Sequence, residues 1–207
     1  MRVFRVYPHV EGALAGEPGD ARYVHPHQGS GRWDNPDLYL MRYFGCTPEA
    51  AIAETFGSLA RWRPGMFEHP GLGAERCLAE FELPDTLRVA ALAEPDMLSR
   101  FGMRANEVAE RLPARTQRVA AQIHGTAQFD AISWWSYYHP SLTNLAVWAG
   151  EAQLIRTDAL SIDHPAVQAC AHLIVRDIHR GSAPRALTRG DSRALNRRDG
   201  GGCHTGR

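Results

Sequence analysis

The sequence predicts an α+β protein, because segments with the two-residue alternation of strands and segments with helical periodicity both occur along its 207 residues. The clearest strand is LAEFEL (78–83), in which apolar residues share one face and two glutamates share the other. The clearest helix is TPEAAIAETFGSLARW (47–62), where Thr47 suits the N-cap and Pro48 the first helical position. A hydrophobic content of 44% and a charged content of 22% are typical of a globular protein.

The remaining segments complete one domain. Further strands are expected at 3–7, 37–44, 87–92, 129–135 and 144–148. Further helices are expected at 95–112, 114–124 and about 165–179. After Gly181 the chain is rich in Gly and Arg and poor in large apolar residues, which is typical of disorder. The sequence therefore predicts one domain over 1–180 and a disordered tail over 181–207.

Composition excludes several classes of function. The formal net charge is zero, so there is no general electrostatic attraction to nucleic acid or to a membrane surface. All 23 basic residues are arginine, which excludes lysine-based chemistry such as a Schiff base. The four cysteines are widely scattered, which favours free thiols over disulfides or a zinc site. We find no signal peptide and no stretch of ~20 apolar residues, so a cytoplasmic protein is expected.

Glu54 is the first candidate for chemistry. In the predicted helix, Ile52, Phe56 and Leu59 form the stripe that faces the core, and Glu54 lies roughly opposite. The ordinary interpretation is a solvated glutamate. However, small residues surround it, as they would on a helix face covered by a ligand. These neighbours are Ala50, Ala53, Gly57 and Ser58.

Arg32 is the second candidate, in the stretch GSGRWDNPDLY. An arginine held by a glycine-rich loop can offer a fixed pair of donors to a phosphate or a carboxylate. A surface salt bridge, or stacking on Trp33, would explain it equally well. Tyr39 and Tyr43 follow at a spacing that puts them on one face of a strand. One of them could stack on a planar ligand, or both could be core and rim residues.

The stretch DAISWWSYYHPS contains Ser136 at the end of a predicted strand, near His139. It has no G-x-S-x-G motif, so a hydrogen-bond donor to a bound group is a better interpretation than a hydrolase triad. Its aromatic residues have no interleaved arginine, which disfavours a surface for single-stranded nucleic acid. His9, His25 and His27 lack the spacing of a zinc or iron site, so no metal is expected.

Together these motifs resemble the RES domain family, which is named after its Arg, Glu and Ser. SGRWDNP supplies Arg32, and YFGCTPEAAIAE supplies Tyr43 and Glu54. FDAISWWS supplies Ser136, and NLAVW follows at 144–148. The motifs occur in the order of the family.

The resemblance covers about residues 2 to 160, and FRV near the N-terminus resembles the first strand of the family with its arginine, here Arg5. The chain departs from the family pattern at four positions. They are Ser30, Asp34, Asn35 and Ala131.

The resemblance implies a fold similar to ADP-ribosyltransferases, with mixed or antiparallel sheets split around an NAD cleft and flanking helices. It implies a toxin that degrades NAD⁺ as its substrate, without a metal, by phosphorolysis or hydrolysis of the nicotinamide–ribose bond. Inorganic phosphate would be the co-substrate of phosphorolysis, and a cognate Xre-like antitoxin would be the partner. Two alternatives remain open: a protein mono-ADP-ribosyltransferase that uses the same site, and a catalytically idle module that binds a partner.

The resemblance also implies roles for individual residues. Arg32, Glu54 and Ser136 would be catalytic. Arg32 would clamp the pyrophosphate, Glu54 would hold the ribose hydroxyls and stabilise an oxocarbenium-like centre, and Ser136 would orient the ribose-phosphate part or the attacking group. The residues expected to bind the substrate include Tyr43, stacked on the nicotinamide. The others are Trp33, Tyr39 and Arg5.

Overall fold

The computed structural model of the chain describes residues 1–109 and 113–180, and a mixed β-sheet is its central feature. The tail expected at 181–207 lies outside the described residues. The strands are β1 (Arg2–His9), β2 (Arg42–Gly45), β3 (Arg61–Trp62), β4 (Glu68–His69), β5 (Ala74–Glu82), β6 (Val89–Ala91), β7 (Ala131–Trp135), β8 (Thr143–Val147), β9 (Gln153–Ala159) and β10 (Asp177–Ile178). The helices are α1 (Pro48–Phe56), a 3₁₀ helix (Pro64–Phe67), α2 (Pro95–Arg100), α3 (Ala105–Ala109), α4 (Pro113–Gly125) and α5 (Pro165–Leu173).

Eight of these strands form one sheet in the order β4-β5-β1-β2-β8-β7-β6, with β9 also paired to β5. Strands β6 and β7 run parallel, and the other pairs of this sheet are antiparallel. Strands β3 and β10 form a separate parallel pair. The predicted fold class, a mostly antiparallel α+β architecture with flanking helices, is therefore confirmed.

Helices cover the sheet and enclose the core. Helix α1 packs with α5, and together they bury apolar residues that include Ile52, Phe56 and Val167. Helix α4 packs against the β7 end of the sheet and buries Ile123 beside Trp134. No helix in the described part of the chain is both long and apolar enough to cross a membrane.

Helix α1 begins as the sequence predicts but ends earlier. Thr47 is its N-cap, and the side-chain oxygen accepts a hydrogen bond from the Ala50 N–H at 3.1 Å. The predicted extension to residue 62 is wrong, since α1 ends at Phe56. Trp62 instead lies fully buried in β3, where it donates its indole N–H to the Phe56 carbonyl. Leu59, predicted to lie in the core stripe, is 41% exposed.

The C-terminal end of α1 is held by a distant arginine. The Arg176 guanidinium donates to the Gly57 carbonyl from Nε at 3.1 Å and from Nη2 at 2.7 Å. The same side chain also donates to the carbonyls of Ile174 and Val175, in the turn between α5 and β10. This contact satisfies a carbonyl that the end of a helix leaves without an intrahelical partner.

The small residues around Glu54 serve helix packing. Ala50 and Ala53 are fully buried, and a Cβ added at Gly45 of β2 would lie 2.3 Å from the Ala51 nitrogen. The interpretation of these alanines as a face covered by a ligand is therefore wrong. The absence of a side chain at Gly45 lets the α1 backbone at Ala50 and Ala51 approach β2 closely, three to four residues before Glu54.

Other differences follow from local backbone geometry and tertiary pairing. The predicted strand 37–44 is extended mainly at β2, and the predicted helix 95–112 divides near Gly102, whose φ is +61°. The predicted helix at 165–179 ends at Leu173, and the next residues include β10. The sequence reading missed β9, a seven-residue strand of which six residues pair with β5 and Ile155 lies in a register shift.

Candidate active site

A cleft opens where β1 and β2 diverge. The pairing between these strands in the described structure is a single pair, Phe4 with Gly45. Glu54, in the last turn of α1, faces this fork. The cavity there has a volume of about 300 Å³. Its polar or aromatic lining consists of Phe4, Arg5, Tyr43, Phe44, Glu54, Thr55, Trp134 and Asn144.

Two buried side chains hold the Glu54 carboxylate. Oε1 accepts a hydrogen bond from the Ser136 hydroxyl at 2.7 Å and another from the Asn144 amide Nδ2 at 2.8 Å. Ser136 is 2% exposed and Asn144 is 1% exposed, whereas Glu54 itself is exposed. Within the described residues Oε2 accepts no hydrogen bond, so it is the oxygen available to a ligand.

Local backbone contacts orient Ser136. Its N–H donates to the Leu142 carbonyl at 2.7 Å, and its hydroxyl oxygen accepts from the Tyr138 N–H at 3.1 Å. His139 is paired instead with the Ser141 hydroxyl at 2.8 Å. The Ser136 hydroxyl proton is therefore directed at Glu54, and the histidine nearby in sequence does not contact this serine.

Asn144 is a site residue that the sequence reading missed. It is a polar residue near the start of β8, a strand whose following residues are all buried. That combination was the available signal, because a buried amide in an apolar strand requires hydrogen-bond partners. Its Oδ1 atom is buried and has no partner within the described residues, which costs about 1–3 kcal/mol unless another group pairs with it.

A second cavity, of about 400 Å³, lies beside the first and shares Tyr43, Glu54 and Trp134 with it. Arg32 lines this second cavity, and one of its guanidinium nitrogens donates to the Val108 carbonyl. The other lining residues are Ser30, Ser58, Pro113 and Tyr138. Arg32 and Arg5 therefore line different cavities, and Glu54 lines both.

Asp34, one of the departures from the family pattern, fixes the loop that carries Arg32. Its Oδ1 accepts from the Tyr43 hydroxyl at 2.7 Å, and its Oδ2 accepts from the N–H groups of Gly29 and Gly31 at 2.9 and 2.6 Å. The Tyr43 oxygen accepts the Trp33 N–H at 3.0 Å. Burial, together with the hydrogen bond to Asp34, raises the pKa of the Tyr43 phenol.

Trp33 and Tyr39 do not lie on the cleft surface. Trp33 is fully buried against Trp134, with ring centroids 5.4 Å apart. Tyr39 is 8% exposed, stacks on Trp148 at 5.3 Å and donates its hydroxyl to the Trp33 carbonyl. These rings are occupied by core packing, and the contact of Trp33 and Tyr39 with a substrate stays a prediction that the structure does not support. Tyr39 also lies outside β2, so it does not share a strand face with Tyr43.

Arg5, on β1, points towards the cleft and is anchored through one nitrogen. Its Nη1 donates to the carbonyls of Ala21 and Tyr23, at 3.2 and 2.7 Å. Burial, and then the positive charge of Arg42, lower the pKa of the Arg5 guanidinium, and Asp20 partly offsets this effect. A buried cation of this kind favours an anionic ligand.

The described cysteines are free thiols, and none of them lines the two cavities. Cys46, Cys77 and Cys170 are unpaired, and Cys203 is outside the described residues. Burial raises the pKa of the Cys46 thiol to about 11, which suppresses the reactive thiolate. Among residues 1–109 and 113–180 there is no group of three or more His, Cys, Asp or Glu side chains that could hold a metal ion.

The fold and the carboxylate in the cleft define an α+β domain with a preorganised acidic site. The family model for the RES domain matches residues 2–168. The chain therefore belongs to the RES domain family.

Among solved structures, the fold is similar to a chain in the crystal structure of the M. tuberculosis MbcT–MbcA toxin–antitoxin complex. The TM-score is 0.52 and the sequence identity 18%, over 84% of this chain and 88% of that chain. At this identity the likeness establishes the fold. No curated protein sequence matches the chain.

Proposed function

We propose that this protein is an NAD⁺-degrading toxin that cleaves the nicotinamide–ribose bond. The main observation in support of the proposal is the way in which the Glu54 carboxylate is held. Ser136 and Asn144 hold its Oε1, and its Oε2 remains available between two cavities that each contain an arginine. Membership of the RES domain family and the similarity to a chain of a toxin–antitoxin complex support the same function.

The chemistry suits a fixed carboxylate. When the C–N bond breaks, its electron pair passes to the nicotinamide ring nitrogen and neutralises that ring, while positive charge develops at ribose C1′. Glu54 Oε2 accepts a hydrogen bond from a ribose hydroxyl and stabilises this charge electrostatically. A phosphate oxygen or a water oxygen then forms the new bond to C1′, and in hydrolysis the water releases a proton.

The other residues position the substrate. Arg5 and Arg32 offer guanidinium donors to the phosphates from the two cavities that share Glu54, and Tyr43 lines both cavities. Ser136 and Asn144 keep the carboxylate in one orientation, so little reorganisation is needed during the reaction.

The nature of the attacking group separates the candidate activities. Phosphate gives phosphorolysis, water gives hydrolysis, and a side chain of another protein gives ADP-ribosylation. All three reactions require NAD⁺ to be bound in the same way. The proposed partner is a cognate antitoxin, by analogy with the complex that contains the similar chain; the Xre-like type rests on the family resemblance.

The test is incubation of the purified full chain with NAD⁺, with and without phosphate, followed by chromatography of the products. We expect release of nicotinamide, and in the phosphorolysis case release that requires phosphate and yields a phosphorylated ADP-ribose. Glu54→Gln is the inactive control. NAD⁺ that stays intact under both conditions would overturn the proposal and favour an idle module that binds a partner.

A second test addresses the toxin role. Induced expression of the chain in bacteria should stop growth and deplete cellular NAD⁺, whereas Glu54→Gln should do neither. Co-expression of the neighbouring gene product should restore growth if that product is the antitoxin. Normal growth with normal NAD⁺ levels, at confirmed expression of folded protein, would exclude a toxin that acts by NAD⁺ depletion.

A further inference from the structure

A third cavity, of about 390 Å³, is lined in part by Arg5. The loop that follows β1 and the turn between β4 and β5 form its walls. Its size is within the usual range for small-molecule sites. The side chains that matter here are Arg5, Tyr7, Tyr23, His25, His69 and Leu72.

Arg5 connects this cavity to the active-site cleft, because its side chain lines both. Its Nη1 is anchored to the Ala21 and Tyr23 carbonyls, which belong to the loop that walls the third cavity. Within the described residues Nε and Nη2 make no hydrogen bond. Those two nitrogens are the edge of the guanidinium that pairs with two oxygens of a phosphate.

The charge balance around Arg5 favours an anion at this junction. Asp20 also lines the third cavity, but its two carboxylate oxygens accept from Nε and Nη2 of Arg22 at 2.9 and 3.0 Å. Asp20 is therefore largely neutralised by Arg22, while Arg5 and Arg42 raise the local positive potential. A diphosphate at Arg5 would supply the missing negative charge.

The interior of the third cavity suits a planar, partly polar group. The rings of Tyr23 and His25 lie edge to face, 6.1 Å apart, along its wall. His69 also lines it, and the buried Nδ1 atom of this ring has no partner within the described residues. Aromatic walls with a buried hydrogen-bonding atom provide stacking and one polar contact for a nucleobase.

We propose that the third cavity is the subsite for the second nucleoside of the substrate, with Arg5 holding the diphosphate between the two halves. The proposal rests on the proposed cleavage of NAD⁺ at Glu54 and adds a requirement for a dinucleotide. Nicotinamide mononucleotide carries the same scissile bond but leaves the third cavity empty. The enzyme therefore discriminates against it.

The kinetic test compares kcat/KM for NAD⁺ with kcat/KM for nicotinamide mononucleotide. Wild type should prefer NAD⁺ by about 100-fold, because both the Arg5 contact to the diphosphate and the base contact are lost with the mononucleotide. Leu72→Trp, which fills the cavity, and His69→Ala should each reduce this preference about tenfold. His172→Ala, an exposed histidine on α5, is the matched control and should leave the preference unchanged.

A binding test does not depend on turnover. Adenosine monophosphate is titrated into the full-length protein by calorimetry, and the histidine ring signals are followed by NMR. Binding should persist in Glu54→Gln and weaken at least tenfold in Leu72→Trp, whose folding is checked by its thermal melt. Leu72 is 44% exposed in a turn, so the larger ring has room outside the core.

The outcomes separate the two proposals. Equal cleavage of both substrates by wild type, with adenosine monophosphate binding unaffected by Leu72→Trp, would overturn the subsite and leave the proposed reaction standing. Binding of adenosine monophosphate that Leu72→Trp weakens, with neither substrate cleaved, would overturn the proposed reaction and support the subsite.

Discussion

The Ser136 hydroxyl donates a hydrogen bond to the Glu54 carboxylate at 2.7 Å, although the two residues are 82 positions apart in the chain. The serine is 2% exposed, and its own backbone contacts at the end of β7 fix it. The orientation of the carboxylate is therefore set by the sheet and not by α1 alone. This relationship joins two of the three residues for which the family is named.

Replacement of Glu54 by Gln should lower NAD⁺ turnover by about 100-fold or more, because the negative charge that stabilises the developing cation is lost. The amide oxygen can still accept hydrogen bonds from Ser136 and Asn144, so the free energy of unfolding should change by less than about 1 kcal/mol. Nicotinamide release and urea denaturation measure the two effects. Exposed Glu151→Gln is the control. Retained activity in Glu54→Gln would remove Glu54 from the mechanism.

Ser136→Ala should reduce kcat by about 10- to 100-fold, with little change in KM, because it releases one of the two groups that hold Glu54 Oε1. The Tyr138 N–H would also lose its acceptor, so we expect destabilisation of about 1–2 kcal/mol. Steady-state kinetics and denaturation would be compared with Ser133→Ala on the same strand. A pure KM effect would indicate that Ser136 contributes to substrate binding and does not orient the carboxylate.

Gly45→Ala should destabilise the fold by about 3 kcal/mol or more, because the added Cβ would lie 2.3 Å from the Ala51 nitrogen and 2.8 Å from the Ala50 carbonyl carbon. Both contacts are to helix backbone, which cannot move without displacing Glu54. Gly65→Ala is the matched control, since a Cβ there meets nothing within 4 Å. The measurement is the melting temperature of each variant. Equal values for Gly45→Ala and Gly65→Ala would contradict the close approach of α1 to β2.

Asp20→Asn should reduce the acid sensitivity of the protein. The Arg22 side chain, opposed by partial burial, lowers the pKa of Asp20 from 3.8 to about 2 in the folded state. This stabilisation is fully present above about pH 4 and is lost as the pH falls through 2. Because the Arg22 side chain is 47% exposed, solvent screens the pair, and it contributes about 1 kcal/mol at most.

Denaturation midpoints measured between pH 2 and 6 test this effect, with exposed Asp37→Asn as the control. The midpoint of wild type should fall more steeply than that of Asp20→Asn between pH 4 and 2. If the denaturation midpoints of the two proteins fall equally between pH 4 and 2, the Asp20–Arg22 pair contributes no pH-dependent stability.

Local sequence signals predicted much of the fold because they act over a few residues. Thr47 and Pro48 fixed the start of α1, and the alternation at 78–83 identified the core of β5. The end of α1 was not predictable in the same way. It depends on the burial of Trp62 and on the contact with Arg176, which is 119 positions from Gly57.

The same distinction, between local motifs and contacts of distant residues, applies to the candidate site. Glu54, Arg32, Arg5, Tyr43 and Ser136 were all selected from the sequence, and the structure places each of them at the cleft or in contact with it. Asn144 was missed because its importance depends on its contact with Glu54 of α1, which is 90 positions away in the chain. Trp33 was predicted to bind the substrate, but the structure buries it fully. Its position beside a loop arginine gave no indication of this burial.

The contact from Arg176 to the end of α1 has a consequence for domain boundaries. The match to the family ends at residue 168, eight positions before this arginine. A chain shortened to the matched segment would keep every proposed catalytic side chain and would lose the arginine that contacts the C-terminal end of α1, the helix that carries Glu54. The packing that stabilises the fold therefore continues beyond the segment that the family model matches, since Cys170, Ala171 and Ile174 belong to the core.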